Sequence, residues 1–209
     1  MKEQVLSFGR AFLNLIYPLS CCTCGEKMIE NKGLCDECFS KIEKNERGTA
    51  ACRYEGILKE AIHQFKYKRV LSLVDRFSPL MCKFVDDNID MSRIDTIVPV
   101  PLNRSRLRER GFNQSRLLSL ALSKKYGVPV SSCLVKRKAT KPQSGLRRAE
   151  RQNNLKKAFS VKHPKTIKEK NILIIDDVYT TGATVNEASK TLKRAGAKSV
   201  MIAALARGI

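Results

Sequence analysis

The feature that most constrains the fold is the stretch Ile172–Thr184, in which four branched apolar residues run into two adjacent aspartates and a hydroxyl-rich turn. An apolar run of this kind predicts a strand that is buried on both faces. Similar runs in "IDTIVPV" and "SVMIAALA" alternate with helical patterns, and this alternation predicts an α/β fold with a parallel sheet. The aspartates should then lie at the carboxyl end of a strand, where such folds bind ligands.

The remaining segments supply further helices and one more strand. Apolar spacing predicts a short extended entry and two helices in residues 52–87, a helix from Asn113 to about Lys125, and another over Thr184–Arg194. We interpret "VPVSSCLVKR" as a strand. The basic segment Lys136–Lys157 has little apolar periodicity, and we expect a long exposed loop with some helix there.

The N-terminal segment "VLSFGRAFLNLIYPL" is the most apolar part of the chain outside the strands. Arg10 and Asn14 interrupt it, so it is shorter than the roughly 18 apolar residues of a membrane helix. We expect an amphipathic helix that docks on the protein, with membrane attachment as the alternative. No cleavage site follows it, which favours a cytoplasmic protein, with a position at the inner face of the membrane also open.

The charge of the chain is strongly positive and unevenly distributed. Forty Lys and Arg residues against twenty Asp and Glu give a net charge of +20 over 209 residues. The segment Asn103–Lys170 alone contains 20 basic and 3 acidic residues, a net charge of +17. Such a field attracts polyanions such as nucleic acid, pyrophosphate groups or anionic lipid, although a solvated basic face is the simpler interpretation.

Four of the eight cysteines form a doubled C-x-x-C pattern that is typical of a structural zinc site. The first pair is Cys21 and Cys24, and the second pair is Cys35 and Cys38. Cys22 is a rival for the first position, but it would leave a single residue before Cys24. The other cysteines, Cys52, Cys82 and Cys133, are most simply interpreted as small buried apolar residues.

The turn "YTTGAT" after the aspartates has the composition of a phosphate-binding loop. Gly182 permits tight backbone geometry, and the following helix supplies backbone amide donors at its N-terminus. Carboxylates accept hydrogen bonds from vicinal hydroxyls or hold Mg²⁺. A phosphorylated ribose that carries a metal-bound pyrophosphate therefore suits this order of groups.

The stretch "ILIIDDVYTTGAT" resembles the phosphoribosyl-pyrophosphate motif of type I phosphoribosyltransferases at all thirteen positions. This resemblance implies that Asp176 and Asp177 hold the ribose hydroxyls and Mg²⁺. It also implies a pyrophosphate loop in "VPVPLNRSRLRERGFNQS", with Arg104, Arg108 and Arg110 as the foremost candidates and Arg106 beside them. The implied ligands of the 5′-phosphate are Thr180, Thr181, Gly182, Ala183 and Thr184.

The combination of this motif with "PVPL", "RERGFNQS" and the four cysteines resembles the ComF family, which includes ComFC and GntX-like proteins. The resemblance covers nearly the whole chain and implies a zinc module at residues 1–48 and a phosphoribosyltransferase-like domain at 49–209. It also extends to the central segment, at Thr140, Gln143, Leu146, Arg151 and Asn154. The family implies a role in natural transformation, with single-stranded DNA and a ComFA-like helicase as partners.

Two functions remain open at this point. The first is a protein that binds phosphoribosyl pyrophosphate and acts on single-stranded DNA, for which Arg147, Arg148 and Arg151 are the candidate DNA contacts. The second is an active phosphoribosyltransferase of nucleotide or base metabolism with no DNA role. Neither the catalytic residues nor the acceptor can be identified from the residues, because a shared fold does not fix a function.

Overall fold

The computed structural model describes residues 19–45, 48–136 and 158–208. Its centre is a four-stranded sheet in which every neighbouring pair is parallel. A separate antiparallel pair joins two three-residue strands. The strands in chain order are β1 (Ala50–Arg53), β2 (Thr96–Pro99), β3 (Leu134–Lys136), β4 (Phe159–Val161), β5 (Asn171–Tyr179) and β6 (Ser199–Arg207).

The parallel sheet has the order β1-β6-β5-β2, which places β5 inside the sheet between two partners. Six α-helices connect or flank the strands in the described part of the chain. They are α1 (Asp36–Ser40), α2 (Gly56–Tyr67), α3 (Val74–Asn88), α4 (Arg104–Arg110), α5 (Gln114–Tyr126) and α6 (Ala183–Arg194). Three short 3₁₀ turns lie at Leu71–Leu73, Met91–Arg93 and Pro164–Thr166.

The side chains of strand β5 alternate between the two faces of the sheet, and both faces are covered. Leu173 and Ile175 point into one apolar core, which also contains side chains of α2, α3 and α5. Ile172 and Ile174 point into a second core with α6 and the β3–β4 pair. All four side chains are fully buried, as expected when successive residues of a strand alternate between two covered faces.

The structure confirms the parallel-sheet α/β fold and corrects two local predictions. "VPVSSCLVKR" does not join the parallel sheet as a strand of that length. Val130 makes a single parallel bridge to Ile97, and only Leu134–Lys136 then forms β3, paired with the unpredicted β4. "NRSRLRER", expected as part of a loop, forms α4, because the Asn103 side chain accepts a hydrogen bond from the Arg106 amide and caps the helix.

The cysteine-rich segment packs directly on the larger of the two cores, the one that contains Leu173 and Ile175. Leu34 is fully buried there, and Arg76 of α3 donates to the Leu34 carbonyl and to the Asp36 carboxylate. The division at residue 48 stays a prediction. The segment predicted as an N-terminal amphipathic helix lies outside the described residues, except for its last residue, and so does most of Lys136–Lys157. The residues that are described include no helix long and apolar enough to span a membrane.

Candidate functional site

A pocket of about 340 Å³ lies at the carboxyl end of β5. Six parts of the chain meet there: the end of β5, the start of α6, the segment from the end of β2 through α4, the last turn of α2, the residue after β1 and the last residue of β3. The polar and charged side chains that line the pocket are Tyr54, Lys66, Arg106, Arg110, Lys136, Asp176, Asp177, Thr180 and Thr184.

Asp176 lines this pocket as a buried, hydrogen-bonded side chain. It is 7% exposed, and its Oδ1 accepts hydrogen bonds from the Ser115 hydroxyl at 3.1 Å and from the Asp177 amide at 2.9 Å. Burial and the neighbouring carboxylate of Asp177 raise the pKa of Asp176 to about 8. The carboxyl group of Asp176 is therefore largely protonated at neutral pH when no ligand is bound.

Asp177 has a different environment, because a lysine compensates its charge. Lys66 Nζ, at the end of α2, lies 2.6 Å from Asp177 Oδ2, and both side chains are less than one-fifth exposed. Burial opposes ionisation of Asp177, but the ammonium group outweighs it and lowers the pKa of this carboxyl. The two aspartates thus carry different charges: Asp177 is ionised and paired, and Asp176 is mostly neutral.

The turn between β5 and α6 is tight and has a left-handed backbone at Gly182. Gly182 has φ +73° and precedes the first residue of α6. A side chain at this position would overlap the Tyr179 hydroxyl and come within 2.8 Å of the ring carbon that carries it. Glycine is required here for two reasons, the left-handed backbone and the packing of Tyr179 across the turn. Thr180 and Thr184 line the pocket, Thr180–Gly182 form the turn, and Ala183 begins α6.

The arginines of α4 divide between two sides of the helix. Arg106 and Arg110, one helical turn apart, line the pocket with the aspartates. Arg104 lines a second cavity, and Arg108 lines neither of these two cavities. The structure therefore brings Arg106 and Arg110, but neither Arg104 nor Arg108, to the aspartates.

Arg110 is also held from outside the pocket. Its guanidinium carbon lies 5.0 Å from the Tyr67 ring centroid, and its Nη2 donates to the Tyr67 hydroxyl at 3.4 Å. Arg69 Nη2 donates to the Glu109 carbonyl at 2.7 Å, so the end of α2 and the residues after it brace the end of α4. These contacts fix one basic wall of the pocket relative to the aspartates.

Sequence reasoning missed several residues of this pocket. Lys66, which lines the pocket, lies 111 positions before Asp177. Lys136, also in the lining, and Ser115, which donates to Asp176, lie 40 and 61 positions before Asp176. No local pattern marks them, since they reach the site only through the sheet order and the packing of α2 and α5. Arg147, Arg148 and Arg151, the predicted DNA contacts, lie outside the described residues, as do the remaining central family positions.

The four cysteines of the doubled C-x-x-C pattern come together as predicted. The Sγ atoms of Cys21, Cys24, Cys35 and Cys38 all lie within 4.8 Å of one another. Gly25 has φ +78° and its amide donates to the Cys21 carbonyl at 2.9 Å, which makes the first tight turn. Cys35 caps α1, and its Sγ accepts from the Cys38 amide at 3.4 Å.

This cluster fits a zinc ion. Four thiolates at the usual Zn–S distance of about 2.3 Å on a tetrahedron are about 3.8 Å apart, and Cys24 Sγ and Cys35 Sγ are 3.7 Å apart. Cys22, the rival for Cys21, is outside the cluster with its Sγ 3.9 Å from the Thr23 hydroxyl. Cys52 and Cys133 are buried as expected, and Cys82 is half-buried.

Family models match both parts of the chain. A phosphoribosyl transferase domain matches residues 114–209, and a double zinc ribbon domain matches residues 12–61. The ribbon match and the four-cysteine cluster together support a structural zinc. Among solved structures, a purine phosphoribosyltransferase from Pyrococcus horikoshii is similar over 64% of this chain and 72% of that one, at 22% identity and a TM-score of 0.40.

Relatives match nearly the full length of the chain. Competence protein F of Haemophilus influenzae is 32% identical over 90% of this chain and 84% of its own length. DNA utilization protein YhgH of Escherichia coli K12 is 34% identical over 90% of this chain and 83% of its own length. ComFC of Streptococcus pneumoniae is 32% identical over 74% of this chain and 65% of its own. With a phosphoribosyl transferase domain, a four-cysteine cluster and these relatives, the chain belongs to the ComF family.

Proposed function

We propose that this protein binds phosphoribosyl pyrophosphate with Mg²⁺ in the pocket at the end of β5 and acts on single-stranded DNA during DNA uptake. The observation that carries the proposal is the composition of the pocket. Two adjacent carboxyl groups, two threonine hydroxyls and four cationic side chains line one volume of about 340 Å³. These are the groups that a sugar with two hydroxyls, a phosphate and a pyrophosphate requires.

The sugar and its 5′-phosphate suit the end of β5 and the following turn. Asp176 and Asp177 offer carboxylate oxygens to the ribose hydroxyls, while Thr180 and Thr184 face the same volume. The helix that starts at Ala183 has twelve residues, and its N-terminus supplies amide donors and positive dipole for the phosphate. The turn of Thr180, Thr181 and Gly182 would bring those amides close to the ligand.

The pyrophosphate suits the basic wall formed by Arg106, Arg110, Lys66 and Lys136. Guanidinium forks bind phosphate oxygens in pairs, and lysines add compact positive charge. Bound Mg²⁺ would neutralise part of the pyrophosphate charge, and Asp177 is the ionised carboxylate that could hold it. Lys66 must then leave Asp177, and as a member of the basic wall it would pair with a phosphate oxygen instead.

The DNA part of the proposal is supported by the relatives and by the charge. The relatives carry names that refer to competence and to DNA utilization. The segment Asn103–Lys170, with its net charge of +17, provides positive field for a phosphate backbone. A ComFA-like helicase is the partner that the family implies. If the protein instead transfers the phosphoribosyl group to a base, the same pocket would serve, and no DNA binding would be needed.

Calorimetry with three ligands tests the pocket proposal. Phosphoribosyl pyrophosphate, ribose 5-phosphate and pyrophosphate are titrated separately into the protein with Mg²⁺ present. Because the proposal uses both ends of the pocket at once, phosphoribosyl pyrophosphate should bind at least tenfold more tightly than either fragment. Equal affinity for pyrophosphate and the whole ligand would reject the ribose assignment, and no binding of any of the three would reject the proposal.

A further inference from the structure

A second and larger cavity adjoins the aspartate pocket. Its volume is about 830 Å³, within the range of ligand-binding clefts. Helix α4 separates the two: Arg106 and Arg110 face the aspartates, whereas Arg104 and Leu107 face the larger cavity. Pro101, Leu102 and Lys136 line both volumes, so the two cavities lie side by side and share these residues as a wall.

The larger cavity is lined by positive charge. Arg104, Arg116, Lys136 and Lys162 line it, and among the residues described by the structure its lining includes no Asp or Glu. Burial and the nearby charge of Arg106 lower the pKa of Lys136, which stands at the junction of the two cavities. A ligand for this cavity should therefore carry several negative charges.

The rest of the lining combines apolar side chains with polar ones, most of which hydrogen-bond within the protein. Asn103 and Asn113 cap α4 and α5 with their Oδ1 atoms, and Ser132 accepts from Arg116 Nη1 at 3.0 Å. These oxygen atoms are therefore already paired within the protein. The apolar wall consists of Pro99, Pro101, Leu102, Leu107, Leu134 and Val135.

From this lining we propose that the larger cavity binds a short stretch of single-stranded DNA and leads it past Lys136 to the aspartate pocket. Repeated phosphates match the four cations, and the apolar wall accepts the unpaired faces of bases. Binding is independent of base sequence, because phosphate charges and apolar base faces are common to all four nucleotides. This inference rests on the proposed function, since it assigns the DNA of that proposal to a surface.

Fluorescence anisotropy with a labelled oligothymidine at several salt concentrations tests the inference. The variant is Arg104→Gln with Arg116→Gln and Lys162→Gln. The matched control, Lys59→Gln with Lys83→Gln and Lys193→Gln, removes the same charge from residues that line neither cavity. If all three cavity residues contact phosphates, the logarithmic salt slope should become shallower by about 2 in the variant, with little change in the control.

The outcomes separate the inference from the proposed function. Equal slope changes in the variant and the control would overturn the inference, because binding would then follow only the net charge. An oligouridine of equal length that bound more tightly would assign the cavity to RNA and would also overturn it. Phosphoribosyl pyrophosphate binding, measured by calorimetry on the same variant, should be retained, and its absence in the wild-type protein would reject the proposed function instead.

Discussion

Lys66 Nζ lies 2.6 Å from Asp177 Oδ2, so a helix that follows the four-cysteine segment compensates the charge at the end of the central strand. The neighbouring residue Phe65 anchors the same helix turn in the core, against Phe77 and Phe112. The contact therefore joins the aspartate pocket to the larger core that also holds the cysteine segment. In the ligand-free protein it keeps one of two adjacent carboxylates paired.

Replacement of Lys66 by methionine should destabilise the ligand-free protein by about 3–5 kcal/mol, because it leaves a buried carboxylate without its partner. Chemical unfolding of Lys66→Met measures this. Lys83→Met is the control, since the Lys83–Asp87 pair is exposed and should contribute less than about 1 kcal/mol. Adding Asp177→Asn to Lys66→Met should recover much of the loss. Equal costs for the two lysine variants would show that the buried pair is not a stabilising contact.

The pH dependence of stability should reveal Asp176. Since the folded protein raises the pKa of Asp176 to about 8, well above the unfolded value, it binds this proton more tightly than the unfolded chain. The stabilisation is complete below the unfolded pKa near 4 and is lost as the pH rises through about 8. The unfolding free energy of the wild type should therefore fall relative to Asp176→Asn, by at most about 1.4 kcal/mol per pH unit.

The measurement is urea unfolding without Mg²⁺ at a series of pH values between about 5 and 8, for both proteins. Asparagine keeps a side-chain oxygen for the Ser115 hydroxyl and the Asp177 amide, so the variant should fold. Parallel curves for the two proteins would mean that folding does not raise the pKa of Asp176.

Gly182→Ala should cost more than an ordinary glycine substitution at positive φ. Gly127 provides the comparison, because a Cβ atom added there at φ +72° would meet no atom within 4 Å, whereas one added to Gly182 at φ +73° would meet Tyr179. Gly127→Ala should lose about 1–2 kcal/mol of stability from backbone strain alone. Gly182→Ala should lose more, and it should also weaken binding of ribose 5-phosphate. Tyr179→Phe in the Gly182→Ala background should restore part of the stability, and equal losses at the two glycines would contradict the packing argument.

The zinc assignment predicts one zinc per chain in protein purified without chelator. Cys21→Ser should lower the zinc content and the stability, because a structural zinc contributes directly to folding. Cys22→Ser should retain the zinc, since Cys22 lies outside the cluster. Elemental analysis measures the zinc content of both variants. The comparison is matched, because the same change from cysteine to serine is made at two adjacent positions. Zinc loss from Cys22→Ser but not from Cys21→Ser would reverse the assignment.

The sequence predicted those parts of the protein whose structure is set by residues that lie close together in the chain. Ile172–Ile175 show the apolar run of a strand covered on both faces, and the two C-x-x-C pairs carry their spacing in the chain. The helix predicted over Thr184–Arg194 begins one residue earlier, at Ala183. A tight turn after β5 was predicted from Gly182, and its role as a phosphate loop stays a prediction.

Residues that reach the site from distant elements could not be predicted in this way. Lys66 sits among ordinary helix residues, and only the packing of α2 brings it to Asp177. Arg106 and Arg110 are indistinguishable from Arg104 and Arg108 by composition, and the α4 helix alone sorts them to different sides. Strand β4 was missed because a three-residue strand carries too little periodicity. The strand predicted over "VPVSSCLVKR" was too long, because Pro129 and two serines interrupt the apolar pattern before β3.

The most direct test of the central claim is calorimetry of phosphoribosyl pyrophosphate with Mg²⁺ on the wild type and on Asp176→Asn with Asp177→Asn. Asp86→Asn with Asp87→Asn serves as the control, since these are also adjacent aspartates but lie on α3 and line neither cavity. We expect the wild type and the control to bind phosphoribosyl pyrophosphate. The pocket variant should keep its fold and lose at least tenfold in affinity for this ligand. Unchanged affinity in the folded pocket variant would contradict the assignment of the ligand to the aspartates at the end of β5.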